Sequence, residues 1–356
     1  MKNQLNLANI NDKQKVWLTQ LSYLNVTKEG IEKIKKDGLL VSELYKYLEK
    51  PTAQMYGNVF GNKNESLSKS ILDAYLGKKD GLITKQQLLE ELNKVGLGKI
   101  KIISVENNHK TGFQAMAFED GLYNKGISYR GSDCEWHSGG LSDWIMADLG
   151  EFLTNNSMQV KEAIKFFDEN KNKNGNNFIY GHSLGGNLTS HTYLKYHNEI
   201  KEAFSFNGLP VNQTLLDDEE KIKAFNNPKF NCVVVGGDIF QHTKKDDLYS
   251  DKVKFIKNNN EGNQNWLSAH LPQSCTYDNK ENFQTITREE AIKEFSNGRK
   301  WFVIAFNRVN TIFGNKSYEI IHHIEKMEDK IITFRKKLNL GYEQVSIKVN
   351  NIINKK

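Results

Sequence analysis

The chain of 356 residues has little cysteine, little proline and no long apolar run. Its three cysteines, Cys134, Cys232 and Cys275, are odd in number and lack metal-site spacing, so neither a disulfide framework nor a metal centre is predicted. No apolar stretch approaches the roughly 20 residues that cross a membrane. The first residues lack the apolar core of a signal peptide, so we expect a cytoplasmic protein or one exported by a leaderless route.

The net charge of +6 is distributed unevenly along the chain. Residues 288–356 carry 14 Lys and Arg against 8 Asp and Glu, whereas the rest of the chain is balanced. An excess of positive charge attracts anionic lipid or an acidic partner, so this region is expected to contact a membrane surface or a small helical partner protein. A solvated helical face explains the charge equally well. No nucleic-acid partner is expected.

The spacing of apolar residues changes twice along the chain. Residues 1–97 have mainly helical spacing, including a run from Ile31 to Leu48. From residue 98, short apolar strands alternate with helices, which predicts a mostly parallel sheet covered on both faces. From residue 287 the spacing is helical again, and Thr287 and Glu290 form a capping box at its start.

The segment Gly181-His-Ser-Leu-Gly185 matches the G-x-S-x-G pattern, in which a serine occupies a strained turn between a strand and a helix. Apolar residues 178–180 predict the strand, and side chains at Gly181 or Gly185 would collide with their neighbours. Ser183 is therefore a candidate nucleophile, and the N–H of Leu184 is a candidate donor to an oxyanion. The alternative is a glycine-rich loop without catalytic function.

A serine nucleophile needs a base, and the base needs an acid that orients it. Asp238 directly follows an apolar strand, at the edge of the sheet where α/β proteins place their sites. His270 lies on a loop near a proline and is the preferred base. His242 is too close to the acid in sequence, and His322 and His323 fall inside the predicted tail helix. The weaker candidates for the acid are Asp217, Asp246 and Asp247.

Several motifs stand in the order found in class 3 lipases, a group of α/β-hydrolases, and residues 100–280 resemble the bacterial branch of that group. Besides the turn at residues 181–185, called the elbow below, the motifs are Tyr129-Arg-Gly-Ser132, Asp143-Trp-Ile-Met-Ala-Asp-Leu149, Phe204-Ser-Phe-Asn-Gly-Leu-Pro210 and Gly237-Asp238. The resemblance implies an α/β-hydrolase fold without metal or cofactor, with Ser183, Asp238 and His270 as the catalytic residues. It also implies oxyanion donors at Leu184 and Ser132, and we expect Arg130 to brace the turn that carries Ser132 rather than to bind substrate.

We therefore predict three regions: an N-terminal helical region over 1–97, an α/β-hydrolase domain over 98–286 and a basic C-terminal helical region over 287–356. The preferred function is a serine carboxylic-ester hydrolase, a lipase or phospholipase that acts on lipid or another acyl ester. The alternative is an exported effector or interaction protein, flanked by helices, in which the hydrolase fold serves mainly as a scaffold.

Overall fold

The computed structural model describes residues 5–48, 85–108, 111–131, 156–209, 219–238, 252–259, 269–270 and 272–293. The chain divides into two compact units, Met1–Phe306 and Asn307–Lys356, and every described residue belongs to the first. The motif at Asp143–Leu149 and the basic tail beyond residue 293 lie outside the described residues. The division into three regions stays a prediction.

A nine-stranded sheet forms the centre of the described part of the chain, and its strands lie side by side in chain order. The strands are β1 Leu39–Leu40, β2 Lys101–Asn108, β3 Phe113–Glu119, β4 Asn124–Tyr129, β5 Asn176–His182, β6 Ile200–Phe206, β7 Phe230–Val235, β8 Val253–Ile256 and β9 Thr285–Ile286. The pairs from β4 to β8 are parallel, and the pairs on both sides of them are antiparallel. The predicted α/β fold is confirmed, with the parallel strands in the centre of the sheet.

Seven α-helices occur within the described residues. They are α1 Asp12–Leu21, α2 Lys28–Asp37, α3 Lys85–Lys94, α4 Asn156–Asn170, α5 Leu184–Tyr196, α6 Glu219–Phe225 and α7 Arg288–Lys293. The capping box predicted at Thr287 and Glu290 is confirmed, since each backbone N–H donates to the other side chain. The helical spacing between Ile31 and Leu48 misleads, because α2 ends at Asp37 and Gly38, at φ 69°, turns the chain into β1.

Alternate residues of the central strands face opposite sides of the sheet, as strand geometry requires. On one side Phe178, Tyr180 and Phe204 belong to a buried cluster that includes Trp17 and Leu21 of α1. On the other side lies a second cluster, built from β-strand residues and from α4 and α5. Burying each large apolar side chain stabilises the fold by about 1.5–3 kcal/mol. Helix α1 therefore packs on the face of the sheet that includes Phe178 and Tyr180 of β5, the strand that leads to Ser183.

No helix within the described residues is long and apolar enough to cross a membrane. Cys232 and Cys275 are buried free thiols, and Cys134 lies outside the described residues. Burial raises the pKa of the Cys232 thiol to about 12, so this cysteine stays protonated and unreactive at neutral pH.

Candidate active site

Ser183 lies at the corner between β5 and α5. Its φ of 58° and ψ of −127° fall in a region that residues with a side chain rarely adopt. Main-chain hydrogen bonds hold this conformation: the Ser183 N–H donates to the Phe206 carbonyl (3.1 Å), and the Ser183 carbonyl accepts from Gly186 (2.9 Å) and Leu209 (3.3 Å). The corner therefore places the serine beyond the C-terminal end of the central strand β5.

The glycines beside Ser183 allow the helix to lie directly against the strands. A Cβ atom at Gly181 would collide with the carbonyl oxygen of Gly185, and one at Gly185 would collide with the carbonyl oxygen of Tyr129. Gly186 is also tightly packed, since a Cβ atom there would lie 2.7 Å from the Cα of Gly208. Side chains at these positions would push α5 away from the sheet and would change the corner at the serine.

The structure describes one of the two oxyanion donors predicted from the sequence, Leu184. Leu184 is buried and is the first residue of α5, so its N–H has no carbonyl in a preceding helical turn to which it can donate. The N-terminal end of a helix also favours negative charge. Ser132 lies outside the described residues. Arg130 is buried, and its guanidinium donates to the Gly112 carbonyl (3.2 Å), which fastens the end of β4 to the start of β3.

Asp238 and His270 form a hydrogen-bonded pair. The Nδ1 atom of His270 lies 2.6 Å from Oδ2 of Asp238, and both side chains are buried. Asp238 follows β7 after a turn in which Gly237 has φ 85°, and its N–H donates to the carbonyl of Val235 (3.0 Å). A carboxylate accepts the proton of Nδ1, so it leaves Nε2 of a neutral imidazole as the proton acceptor.

Sequence reasoning missed His182 and Asn207, which both contact the backbone of the base. The Nε2 atom of His182 lies 2.8 Å from the carbonyl oxygen of His270, and the two imidazole rings are 4.7 Å apart. The Asn207 amide donates to the same carbonyl (3.0 Å) and to that of Ala269 (3.2 Å). Its own Oδ1 accepts from the Val235 N–H (2.9 Å). The available signal was their placement at the ends of two neighbouring parallel strands.

The remaining sequence candidates are not brought to this site by any described contact. His242, Asp217, Asp246, Asp247, His322 and His323 all lie outside the described residues. Among the residues that the structure describes, no group of three or more His, Cys, Asp or Glu side chains is placed to hold a metal ion. The described site offers a serine hydroxyl, an imidazole and a carboxylate.

No protein-family model and no curated protein matches the chain. Solved structures that resemble it include a Rhizomucor miehei lipase–propeptide complex, at 13% identity over 56% of this chain and 69% of that chain, with a TM-score of 0.29. A Penicillium expansum triacylglycerol lipase matches at 11% over 55% and 77% (TM-score 0.31), and M37 lipase at 14% over 66% and 70% (TM-score 0.34). At such low scores these similarities carry no argument about activity, and they give no support to a bacterial branch.

Proposed function

We propose that this chain is a serine carboxylic-ester hydrolase, a lipase or phospholipase, with Ser183 as its nucleophile. The proposal is carried by one observation: the strained serine corner and the buried Asp238–His270 pair lie at the same edge of the sheet. His182, which precedes the serine, contacts the His270 carbonyl directly, so the corner at Ser183 and the backbone of His270 are neighbours. A buried Asp–His pair with a purely structural role would leave the strained conformation of the serine unexplained.

The proposed reaction follows from the atoms available. His270 Nε2 takes the proton of the Ser183 hydroxyl while Oγ attacks the ester carbonyl carbon, and Asp238 stabilises the imidazolium that forms. The negative charge on the carbonyl oxygen is met by the N–H of Leu184 and, by the sequence expectation, by that of Ser132. His270 then returns the proton to the leaving alcohol. Water attacks the acyl-enzyme by the same route and releases the carboxylic acid.

The test compares the natural protein with Ser183→Ala on p-nitrophenyl esters of increasing chain length, on triacylglycerol and on phospholipid. Ser183→Ala is expected to lower kcat at least about 1,000-fold and to abolish labelling by a fluorophosphonate. Ser190→Ala is the matched control, since it removes a buried hydroxyl from the same helix, where Ser190 donates to the Gly186 carbonyl (2.9 Å). Its kcat should stay within about threefold of the natural protein.

The panel also separates the preferred function from its alternative. Turnover that rises with acyl-chain length or requires a lipid interface supports a lipase or phospholipase, and turnover restricted to short chains indicates a soluble esterase. A folded natural protein that neither hydrolyses any of these esters nor reacts with the fluorophosphonate would refute the proposal. It would favour the alternative, an interaction protein in which the hydrolase fold serves mainly as a scaffold.

A further inference from the structure

Tyr23 links the N-terminal helices to the edge of the sheet that carries Ser183. It lies in the turn that follows α1, where its N–H donates to the Gln20 carbonyl (3.1 Å). Its hydroxyl oxygen lies 3.0 Å from the Gly131 nitrogen and 3.0 Å from Nδ1 of His182. One phenol group thus contacts both the turn after β4, immediately before Ser132, and the residue before the proposed nucleophile.

The hydrogen-bond partners fix the direction of each bond in this chain of contacts. The His270 carbonyl can only accept, so Nε2 of His182 carries a proton and donates it there. Burial holds the pKa of His182 well below its usual value, so the ring is neutral and its Nδ1 is an acceptor. The Tyr23 hydroxyl therefore donates to Nδ1, and its oxygen accepts from the Gly131 N–H. A single assignment of protons satisfies all three contacts.

Only glycine at position 131 leaves room for the phenol of Tyr23. A Cβ atom at this position would collide with the Tyr23 hydroxyl oxygen and would lie 3.0 Å from both the His182 carbonyl oxygen and the Ser183 Cβ. The absence of a side chain therefore lets the hydroxyl reach the backbone of the turn. It also shows how closely this turn approaches the serine.

The segment around Tyr23 is itself tied to the sheet. The Ser128 hydroxyl on β4 lies 3.0 Å from that of Ser22, and the Gln114 amide on β3 donates to the Leu24 carbonyl (3.2 Å). Ser22, Ser128 and Gln114 are all buried. These bonds on both sides of Tyr23 restrict the position of its hydroxyl, so the phenol can restrain the groups that it contacts.

We propose that Tyr23 is a positioning residue, which holds the oxyanion turn at Gly131 and the backbone of His270 in register through His182. This inference rests on the proposed function, and it assigns Tyr23 no contact with substrate. It makes the N-terminal helical segment part of the catalytic framework. A loss of the hydroxyl would let the turn at Gly131 and the backbone of His270 shift by a fraction of an ångström while the fold persists.

The test is Tyr23→Phe in the full-length protein, with Tyr45→Phe as the control. Tyr45 is an exposed tyrosine of the same N-terminal region, with 59% of its surface accessible. Tyr23→Phe is expected to lower kcat about 10- to 100-fold with KM within about twofold, because misplacement of catalytic groups affects the transition state more than ground-state binding. Its rate of fluorophosphonate labelling should fall in parallel, while the final extent of labelling stays complete. Tyr45→Phe should match the natural protein.

Two readouts do not depend on activity. In Tyr23→Phe the Gly131 amide should exchange with solvent at least about tenfold faster, and the ¹⁵N resonance of His182 Nδ1 should shift as it loses its donor, with Nε2 still protonated. Natural kcat with unchanged Gly131 exchange would overturn the inference. So would a lower kcat that tracks only a lower Tm and leaves Gly131 exchange as in the control. A natural protein without hydrolysis or labelling would instead refute the proposed function itself.

Discussion

Removal of the Asn207 side chain tests the connection between the sheet and the backbone at Ala269 and His270. Asn207 follows β6, is fully buried and has φ 44°, a left-handed conformation that asparagine tolerates better than most residues. Its side chain makes three hydrogen bonds, as an acceptor from Val235 and as a donor to the carbonyls of Ala269 and His270. Asn207→Ala deletes all three and leaves the main chain in the same left-handed conformation.

The expected loss of stability in Asn207→Ala depends on which hydrogen bonds each partner of Asn207 keeps. The Val235 N–H loses its side-chain acceptor in a buried environment, at about 1–3 kcal/mol. The two carbonyls keep other donors, since Ser274 donates to Ala269 (2.9 Å) and His182 to His270 (2.8 Å), so their loss adds only about 1 kcal/mol. The left-handed conformation costs alanine about another 1 kcal/mol. Asn207→Ala should therefore lower the free energy of unfolding by about 3–5 kcal/mol.

Urea unfolding at neutral pH measures this change, and two further variants separate its parts. Asn207→Gly loses the same hydrogen bonds without the backbone strain, so it should be less damaging than alanine by about 1 kcal/mol. Asn174→Ala, at an exposed asparagine, should stay within about 0.5 kcal/mol of the natural protein. If Asn207→Ala also stays within 0.5 kcal/mol, the assignment of these hydrogen bonds as stabilising contacts is wrong.

Three other changes have definite expected outcomes. Gly185→Ala places a Cβ atom against the Tyr129 carbonyl, so calorimetry should find it destabilised by about 3 kcal/mol or more, and a natural Tm would contradict the packing at the elbow. Burial lowers the folded-state pKa of His182, so the free energy of unfolding should fall as the pH drops below about 6.5, by at most about 1.4 kcal/mol per pH unit. In urea unfolding, the stability of His182→Asn should depend less on pH than that of the natural protein. An equal dependence would refute this. Residues 307–356 contain ten Lys and Arg against five Asp and Glu. Their removal should preserve hydrolysis of a soluble ester and abolish salt-sensitive binding to anionic vesicles. An unfolded remainder, or a full-length protein that never binds vesicles, would contradict the contact role of this segment.

Local patterns predicted some of the elements. The apolar run before Ser183 predicts β5, and the capping box at Thr287 predicts the start of α7. Each of these signals lies within a few residues of the structure that it determines. The pattern failed at Leu39, where helical spacing continued but a glycine with positive φ and pairing with Ile102 produced a strand. Pairing partners 63 positions apart leave no local trace in a single sequence.

The contacts that surround the base were out of reach for a related reason. His182 and Asn207 bond to backbone carbonyls that are 88 and 62 or 63 positions away, and a backbone carbonyl has no sequence identity by which it can be recognised. Asp238 was easier to find, because a carboxylate at the end of an apolar strand has both a chemical type and a place in the sheet. Sequence patterns thus favour residues whose own chemistry is distinctive, and they overlook residues that act by holding another residue's backbone.

The strain at Ser183 makes such holding contacts necessary. A residue in its φ and ψ region costs on the order of 1–3 kcal/mol and persists only where its surroundings impose it. The main-chain hydrogen bonds of Ser183 offset that cost, and two of their partners, Phe206 and Leu209, lie within two residues of Asn207, which also holds the His270 carbonyl. The end of β6 therefore supports both the strained serine and the base. A change at this strand end should disturb the two together, whereas a change in α5 beyond its first turn should leave the position of the base intact.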